Sequence, residues 1–526
     1  MRFASSLWAW LAGATCVACS SSSSTQTTPP APTTAAAAND AGPQHSPDSA
    51  PSSPPSSSPP LTWAACDTTD WPAGYDPPVA GVECTTIDVP LHHDHPEDGK
   101  TFALRVARQK SRAYPTGKAA FQIAGGPGGA SVWQTGEISG YLPKLLDQFD
   151  LVFVDQRGTG GSGYLDCSKG YPQSKQDWIA CAAEHTTEEL DRYLSVDAAH
   201  DLDSVRERLG YDKISLRGGS YGTRVGLEYL RQHGDRVVAA VLDGLVPTDL
   251  DLLGESIGTF DRGVTRIVGD CAASASCKAI TPDLGAELTQ RRATLKQTPR
   301  PILVDGQAAS EDESAFLYAL FNGLFSADSY FPLPRAVHGA DTGDFTVWDK
   351  YLGQVFGGVV SEPKKITVGA PVRRSRRPGP RFGKSYVSPG TWFANMCAEY
   401  VPNGAGFDAW KAATAQQVWG NQYDDEFEAC SAWNVHPIAA SLRAPVVSDA
   451  KVLLLNGDLD LNTFPEWGAH AAKTLSNGTN LVIPYATHAT MIVPCVGDVI
   501  GQFLGSDGDM TKVDASCIKA LSAPPW

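Results

Sequence analysis

One serine stands in a sequence context that could make it a nucleophile. Ser220 is the centre of Gly218-Gly219-Ser220-Tyr221-Gly222, with strand-like residues before it and helix-like residues after it. Small flanking residues are needed because side chains there would collide with a sharp strand-to-helix turn. The turn exposes the hydroxyl, and the amino terminus of the following helix favours negative charge. We therefore predict that Ser220 is a nucleophile; the alternative is a glycine-rich turn without chemistry.

A glycine-rich loop earlier in the chain could stabilise a developing negative charge. The loop 125–129 follows the apolar stretch 121–124, which predicts a short strand. When a serine occupies such a turn, one backbone N–H of the oxyanion hole comes from this kind of loop, and the second comes from the residue after the serine. We assign the two donors to Gly126 and Tyr221.

Two later segments could supply an acid and a base, which follow the serine in this order along the chain. The apolar stretch 451–455 leads into Asp458 and Asp460, and the stretch 481–484 leads into His488. An imidazole would take the serine proton, and a carboxylate would hold the imidazole in the required tautomer. From the residues alone, either aspartate could be the acid.

Other polar residues are interpreted as structural. Asp155 and Arg157 follow the apolar strand 151–154, and we expect them to pair and brace the adjoining loop. We expect a solvated hairpin turn for one group of histidines, with a metal site as the alternative: His92, His93 and His95. We expect a second group to lie at the surface: His185, His200 and His233.

Three motifs together resemble those of a known family. They are Gly-Gly-Pro-Gly-Gly at 125–129, Asp-Gln-Arg-Gly-Thr-Gly-Gly-Ser at 155–162 and Gly-Gly-Ser-Tyr-Gly-Thr at 218–223. This combination resembles the prolyl aminopeptidase group of α/β-hydrolases, and within it the secreted tripeptidyl aminopeptidase-like proteins of bacteria. The resemblance covers roughly residues 63 to 526 and implies an α/β-hydrolase fold, with a mostly parallel sheet and a large, mainly helical cap insertion.

The resemblance also selects between the two acids. The family's acid lies in Gly-x-x-Asp-x-x-Thr-Pro, which places it on Asp460 and leaves Asp458 as the fallback. This sequence departs from the family pattern at Phe464, where proline is usual, and at Thr487, where glycine is usual before the histidine.

The function implied by the resemblance is a serine peptidase of the aminopeptidase type, which releases short peptides or single residues from free N-termini. A serine esterase or lipase-like hydrolase would use the same residues, and a non-catalytic binding protein on this scaffold is a further alternative. The sequence contains no nucleotide, flavin or metal motif, so we expect no cofactor and no metal. It gives no indication of oligomeric state.

The N-terminal region indicates export. Residues 1–18 have the layout of a signal peptide, and residues 19–62 form a tether rich in Ser, Thr, Pro and Ala. Cys19 follows a small residue and precedes serines, which resembles a lipidation site; ordinary cleavage and release is the alternative. We expect a cell envelope lipoprotein or a secreted protein, attached to a membrane only through such a lipid anchor.

The segment between the strands at 237–242 and 451–455 is too long for a simple crossover. We predict a cap at 249–440, between core segments 63–248 and 441–526. In an aminopeptidase, acids of a cap would receive the α-amine of the peptide substrate; the candidates are Glu255, Asp261 and Glu399.

Charge and cysteine content restrict the class further. The net charge of −16 argues against nucleic acid as a partner. Ten cysteines beyond the N-terminal region imply disulfides in an exported chain. The simplest pairing joins neighbours: Cys66–Cys84, Cys167–Cys181, Cys271–Cys277, Cys397–Cys430 and Cys495–Cys517.

Overall fold

The computed structural model describes the chain from Pro59 onward, so the predicted signal peptide, Cys19 and most of the tether lie outside the described residues. Within 59–526 the residues left undescribed are 70, 73–74, 76, 169–171, 173–174, 326, 357, 362–385, 402–405 and 420–423. Residues Trp63–Trp526 belong to one compact unit. Among the described helices, none combines the length and the apolar character needed to cross a membrane.

Twelve strands are found in the described part of the chain. In chain order they are β1 (Ala64–Ala65), β2 (Val82–Pro90), β3 (Thr101–Gln109), β4 (Ala119–Ile123), β5 (Asp150–Val154), β6 (Ile214–Gly219), β7 (Val237–Asp243), β8 (Arg300–Val304), β9 (Gln307–Glu311), β10 (Val360–Ser361), β11 (Ser448–Gly457) and β12 (Leu475–Ile483).

The main sheet has nine strands in the order β1-β2-β3-β5-β4-β6-β7-β11-β12. The pairs β1/β2, β2/β3 and β3/β5 are antiparallel, and every later pair is parallel. This topology confirms the predicted α/β-hydrolase fold with a mostly parallel sheet.

The register of the parallel strands brings their carboxyl ends to one edge of the sheet. Ile123 pairs with Gly218, and Gly219 pairs with Asp243. Leu455 also lies opposite Asp243 in the register. The loops that follow these strands must therefore meet at this edge, where ligand sites of open parallel sheets form.

Nineteen α-helices are described. They are α1 (Thr135–Tyr141), α2 (Lys175–Ala182), α3 (Thr187–Leu190), α4 (Ser195–Leu209), α5 (Tyr221–His233), α6 (Leu252–Ser256), α7 (Thr259–Ala273), α8 (Ala275–Ile280), α9 (Leu284–Gln297), α10 (Glu313–Gly323), α11 (Ala327–Tyr330), α12 (Leu333–Thr342), α13 (Trp348–Phe356), α14 (Pro389–Asn395), α15 (Phe407–Thr414), α16 (Asp424–Ala429), α17 (Pro465–Ala471), α18 (Val496–Gly505) and α19 (Ser516–Lys519).

The long segment between β7 and β11 contains helices α6–α16 and a small antiparallel sheet of order β10-β8-β9. The sequence pattern did not predict this sheet. The segment has its own apolar core, which includes Phe260, Phe316 and Trp348. Helix α2 precedes Ser220 in sequence but packs against α16 of the inserted segment. The predicted cap bounds of 249–440 remain a prediction.

Five disulfide bonds join the ten cysteines in the pairs predicted from sequence order. Two of them lie beside aromatic packing: Trp178, three residues before Cys181 on α2, stacks on Phe393 of the inserted segment with ring centroids 3.9 Å apart. Phe393 also packs on Trp433, near the Cys397–Cys430 bond. The aromatic residues of this region therefore serve as core.

Candidate active site

Ser220 lies at the strained turn between β6 and α5. Its backbone φ is +54°, in the left-handed region that non-glycine residues rarely adopt. A Cβ at Gly218 would come within 2.4 Å of the Gly222 carbonyl oxygen, and one at Gly222 within 2.4 Å of the Ile123 oxygen. Glycine is therefore required on both sides, as expected for a nucleophile elbow.

The glycine-rich loop lies directly against this serine. A Cβ at Gly125 would be 2.8 Å from the Cβ of Ser220 and 3.4 Å from its Oγ. Gly126 has φ of +115°, and the Gly129 N–H donates to the Gly125 carbonyl at 3.0 Å. Among the described residues, neither the Gly126 nor the Tyr221 backbone N–H has an acceptor. Both donors are thus free for an oxygen of a bound molecule.

His488 and Asp460 are in direct contact. The His488 Nδ1 lies 2.8 Å from Asp460 Oδ2, and both side chains are buried. Asp460 also accepts hydrogen bonds from the Asn462 and Thr463 backbones, at 2.8 and 3.0 Å, and from the Thr463 hydroxyl at 2.6 Å. When the Asp460 carboxylate is ionised, the His488 Nδ1–H donates a hydrogen bond to it, and Nε2 is then the unprotonated, basic nitrogen of the imidazole.

The electrostatics of His488 suit a base with a carboxylate partner. Burial alone would lower its pKa, because it penalises the charged imidazolium. The charge and hydrogen bond of Asp460, together with the charge of Asp243, outweigh burial and raise the His488 pKa above its ordinary value. A charged imidazolium is thereby stabilised at this position.

The turn at the end of β7 lies beside Ser220, His488 and Thr463. The Ser220 N–H donates to the Asp243 carbonyl at 2.8 Å. At the next residue, a Cβ on Gly244 would lie 3.2 Å from the His488 ring and 2.9 Å from the Thr463 hydroxyl. Serine, histidine and the acid's hydroxyl partner are therefore all in contact with this one turn.

Asp243 was not identified from the sequence. Its side chain is buried and accepts hydrogen bonds from the backbone of Thr490 and Met491, in the loop after His488. The only sequence signal for it is an aspartate that ends an apolar strand and precedes a glycine. Arg217, fully buried on β6, lies 3.6 Å from the same carboxylate.

The fallback acid, Asp458, faces a different partner. Its carboxylate lies 3.4 Å from the Arg266 guanidinium on α7. Burial raises the Asp458 pKa, although Arg266 opposes this. The structure brings Asp460, rather than Asp458, to His488.

Two of the three candidate amine-binding acids are occupied by other groups. Glu399 is buried, with one oxygen bound to Arg224 and the other accepting from the Ser195 N–H at 2.7 Å. Asp261 accepts hydrogen bonds from the backbones of residues 418 and 419 at 2.8 and 2.7 Å. These contacts favour a structural role for both residues.

Of the three acids, Glu255 makes the fewest side-chain hydrogen bonds among the described residues. One oxygen accepts a hydrogen bond from Trp467 Nε1 at 3.2 Å. The other has no hydrogen-bond partner among the described residues. Trp467 lies on α17, which begins two residues after Thr463, so Glu255 contacts the helix that follows the acid loop.

The structure corrects the expected pairing of Asp155 with Arg157. Asp155 instead accepts from the backbone of Val132 and Gly161, at 2.8 and 2.9 Å. Arg157 pairs with the buried Asp201 of α4, 2.5 Å away. Both residues brace the loop, but through different partners.

Two histidine expectations were also wrong. His93 is not solvated, since it pairs with buried Asp201 at 2.7 Å. His200 and His233 are hydrogen-bonded to each other at 3.0 Å rather than exposed separately. Burial lowers the pKa of His200 to about 4 and also lowers that of His233. Among the described residues, no cluster of three or more side chains could hold a metal ion.

The sheet topology and the serine elbow define an α/β-hydrolase, and comparisons with known proteins agree. The family model described as alpha/beta hydrolase fold matches residues 123–312, and the one described as TAP-like protein matches residues 416–517. The chain therefore has the α/β-hydrolase fold, and it is similar to relatives named serine protease and proline iminopeptidase.

Named relatives include two peptidases. The chain is 28% identical over 207 residues to the serine protease Hip1 of Mycobacterium tuberculosis, covering 34% of this chain and 40% of the relative. It is 33% identical over 157 residues to the proline iminopeptidase of Neisseria gonorrhoeae, covering 29% of this chain and 40% of the relative. The chain thus spans 40% of the length of these curated relatives.

Among solved structures, the proline iminopeptidase of Mycobacterium smegmatis is 14% identical. The alignment covers 80% of this chain and 98% of that one, with a TM-score of 0.38.

Proposed function

We propose that this protein is an exported serine aminopeptidase that releases short peptides or single residues from free N-termini. The observation that carries the proposal is the 2.8 Å contact between His488 and Asp460, beside a serine on a strained elbow. Peptidase-named relatives support the reaction class.

In the proposed reaction, Ser220 Oγ attacks the scissile carbonyl while His488 Nε2 takes the hydroxyl proton. Asp460 holds the imidazole and stabilises the imidazolium that forms. The backbone N–H groups of Gly126 and Tyr221 bind the oxyanion. His488 then gives its proton to the leaving amine, and water, activated by the same imidazole, hydrolyses the acyl-enzyme.

The proposed aminopeptidase specificity needs a group that recognises the substrate's free α-ammonium. Glu255 is the candidate best supported, because one of its oxygens has no hydrogen-bond partner among the described residues and its other contact is to α17. Burial of an ammonium ion away from water is favourable only when a group of opposite charge lies beside it.

Export is supported by the five disulfides, which persist in oxidising compartments. It is also supported by the signal-like sequence of residues 1–18 and by Cys19, for which we propose lipidation. Mass spectrometry of the N-terminal peptide from membrane and medium fractions tests this: a diacylated Cys19 supports the lipoprotein, and an unmodified N-terminus contradicts it.

The reaction is tested with matched peptidyl anilides, one with a free α-amine and one acetylated. We expect acetylation to lower kcat/KM by at least about 10², since an uncompensated buried charge costs about 3–5 kcal/mol. Equal rates on the pair would contradict amine recognition. Hydrolysis of short esters without anilide cleavage would instead indicate an esterase.

A further inference from the structure

Residues 387–400, in the inserted segment between β7 and β11, contact both halves of the proposed oxyanion hole. Val387 forms an antiparallel bridge with Gly129. The Ser388 N–H donates to the Gly128 carbonyl at 2.9 Å. A Cβ on Gly128 would come within 2.7 Å of the Ser388 oxygen, so the two backbones are in close contact. Backbone contacts with the inserted segment thus fix the position of the glycine-rich loop.

The other half of the hole is held by a side chain. The Tyr221 hydroxyl donates to Asn395 Oδ1 at 2.6 Å, and both residues are buried. Burial raises the pKa of the Tyr221 phenol well above its ordinary range, so the hydroxyl remains a donor. Tyr221 is the residue whose backbone N–H is the second proposed oxyanion donor.

Asn395 has a fixed orientation. Its Nδ2 donates to the carbonyls of Tyr193 and Thr391, each at 2.8 Å. Those two bonds use both amide hydrogens, so Oδ1 is directed to the Tyr221 hydroxyl. The amide can rotate only by breaking buried hydrogen bonds, which is costly.

A second contact lies one turn further along both elements. Arg224, on the same face of α5 as Tyr221, pairs with Glu399, which is buried in the π-helix Met396–Tyr400. Arg224 also donates to the carbonyls of Pro247 and Thr248, at 3.0 and 3.1 Å. The two contacts together restrain α5 from rotating about its axis or sliding, and the N–H of its first residue moves with it.

We propose that Asn395 is a positioning residue for the oxyanion hole: by holding the Tyr221 phenol, it fixes the direction of the Tyr221 backbone N–H. The proposal rests on the proposed serine chemistry, since it assigns a purpose to the same hole. It gives the inserted segment a part in transition-state stabilisation, beyond any part in substrate selection.

The test compares Tyr221→Phe, Asn395→Leu and the double variant with wild type. Tyr221→Phe removes only the hydroxyl and keeps the backbone donor, so it remains informative if Asn395→Leu fails to fold. Ser256→Ala is the matched control, because it removes another buried hydrogen bond of the insertion, the 2.8 Å bond from Trp410 Nε1. Thermal unfolding shows whether the stability losses are comparable.

The main readout is the second-order rate of labelling by a fluorescent fluorophosphonate, whose phosphoryl oxygen occupies the oxyanion hole of a serine hydrolase. Losing an oxyanion donor costs about 10²–10³ in rate, so a misdirected donor should cost about tenfold. We expect this loss in both single variants and no further loss in the double variant. The Ser256→Ala control should label at the wild-type rate.

A second readout separates positioning from substrate binding. With a cleaved peptidyl anilide, kcat should fall about tenfold in Tyr221→Phe, while KM changes by less than about threefold. Wild-type labelling rates in both single variants, or fully additive losses in the double variant, would overturn the positioning role. Failure of the wild-type protein to label at Ser220 would instead overturn the proposed serine chemistry.

Discussion

Asp243 binds the loop after the histidine: its Oδ1 accepts hydrogen bonds from the backbone N–H and the hydroxyl of Thr490, both at 2.9 Å. Its main-chain carbonyl accepts the Ser220 N–H at 2.8 Å. A single residue at the end of β7 therefore joins the backbone of Ser220 to the loop that follows His488.

We expect the Asp243→Asn variant to change the pH dependence of the reaction. His488 must be neutral to act as a base, so wild-type kcat/KM should fall as the pH falls through the raised His488 pKa, above 6.5. Asp243→Asn removes one negative charge near the imidazole and leaves Arg217 without its carboxylate. Both changes lower the His488 pKa, so the decrease of kcat/KM on the acidic side of the pH profile should move to lower pH.

The matched control for that prediction is Asp498→Asn, which removes a surface acid paired with Lys144. This substitution should not change the pH at which kcat/KM falls, because charges in exposed ion pairs are screened by solvent. An Asp243→Asn profile identical to wild type would show that Asp243 has no electrostatic part.

Ser220→Ala should abolish turnover and leave the fold intact. Loss of a serine nucleophile costs on the order of 10⁶ in kcat, because the histidine and aspartate act only through it. The measurement is single-turnover cleavage of a free-amine anilide, with circular dichroism to verify folding. A variant with near wild-type turnover would exclude Ser220 as the nucleophile.

Asp460→Asn should lower kcat by about 10⁴, going by the same change in a serine protease, because the amide favours the wrong imidazole tautomer. Asp458→Asn is the neighbouring control and should cost far less, since Asp458 contacts Arg266 instead. Steady-state kinetics of the two variants decides between the acids. A larger loss in Asp458→Asn would contradict the assignment of Asp460.

Glu255→Gln should raise KM for peptides with a free α-amine, by about tenfold or more, and leave acetylated peptides unaffected. The amide keeps an acceptor for Trp467 but loses the charge that would pair with the ammonium. Asp261→Asn is the comparison, because both of its oxygens are bound to backbone N–H groups. Equal effects of the two substitutions would remove Glu255 from amine recognition.

The purified domain should contain no free thiol when denatured without reductant, because its ten cysteines form five disulfides. Replacing Cys397 and Cys430 together with serine should lower the free energy of unfolding by about 2–4 kcal/mol. Thiol titration and denaturant unfolding provide the measurements. Two or more free thiols in the native protein would contradict the pairing.

The sequence was sufficient for features that depend on local patterns. Apolar stretches predicted the central strands β4, β5, β7 and β11 to within a few residues. Paired glycines predicted the elbow at Ser220, because a turn this tight excludes side chains whatever surrounds it. Neighbouring cysteines predicted the disulfides, because short loops close readily.

The tertiary structure decided the features that depend on residues distant in the chain. Arg157 pairs with Asp201 rather than with nearby Asp155, since α4 brings a buried carboxylate to it. Nothing in the sequence around Glu399 distinguishes it from a solvated surface acid. In the structure it is buried against Arg224, 175 residues away. No local pattern specifies either partner.

The sequence by itself thus predicted the fold class, the tight turn at Ser220 and the chain order of the proposed serine, acid and base. Only the tertiary structure showed that Asp243 binds the histidine loop and that Asn395 holds Tyr221. The physical reason is that periodicity and turn chemistry act over a few residues. A buried hydrogen bond between Tyr221 and Asn395, by contrast, joins positions 174 residues apart and exists only after the sheet and the insertion have packed.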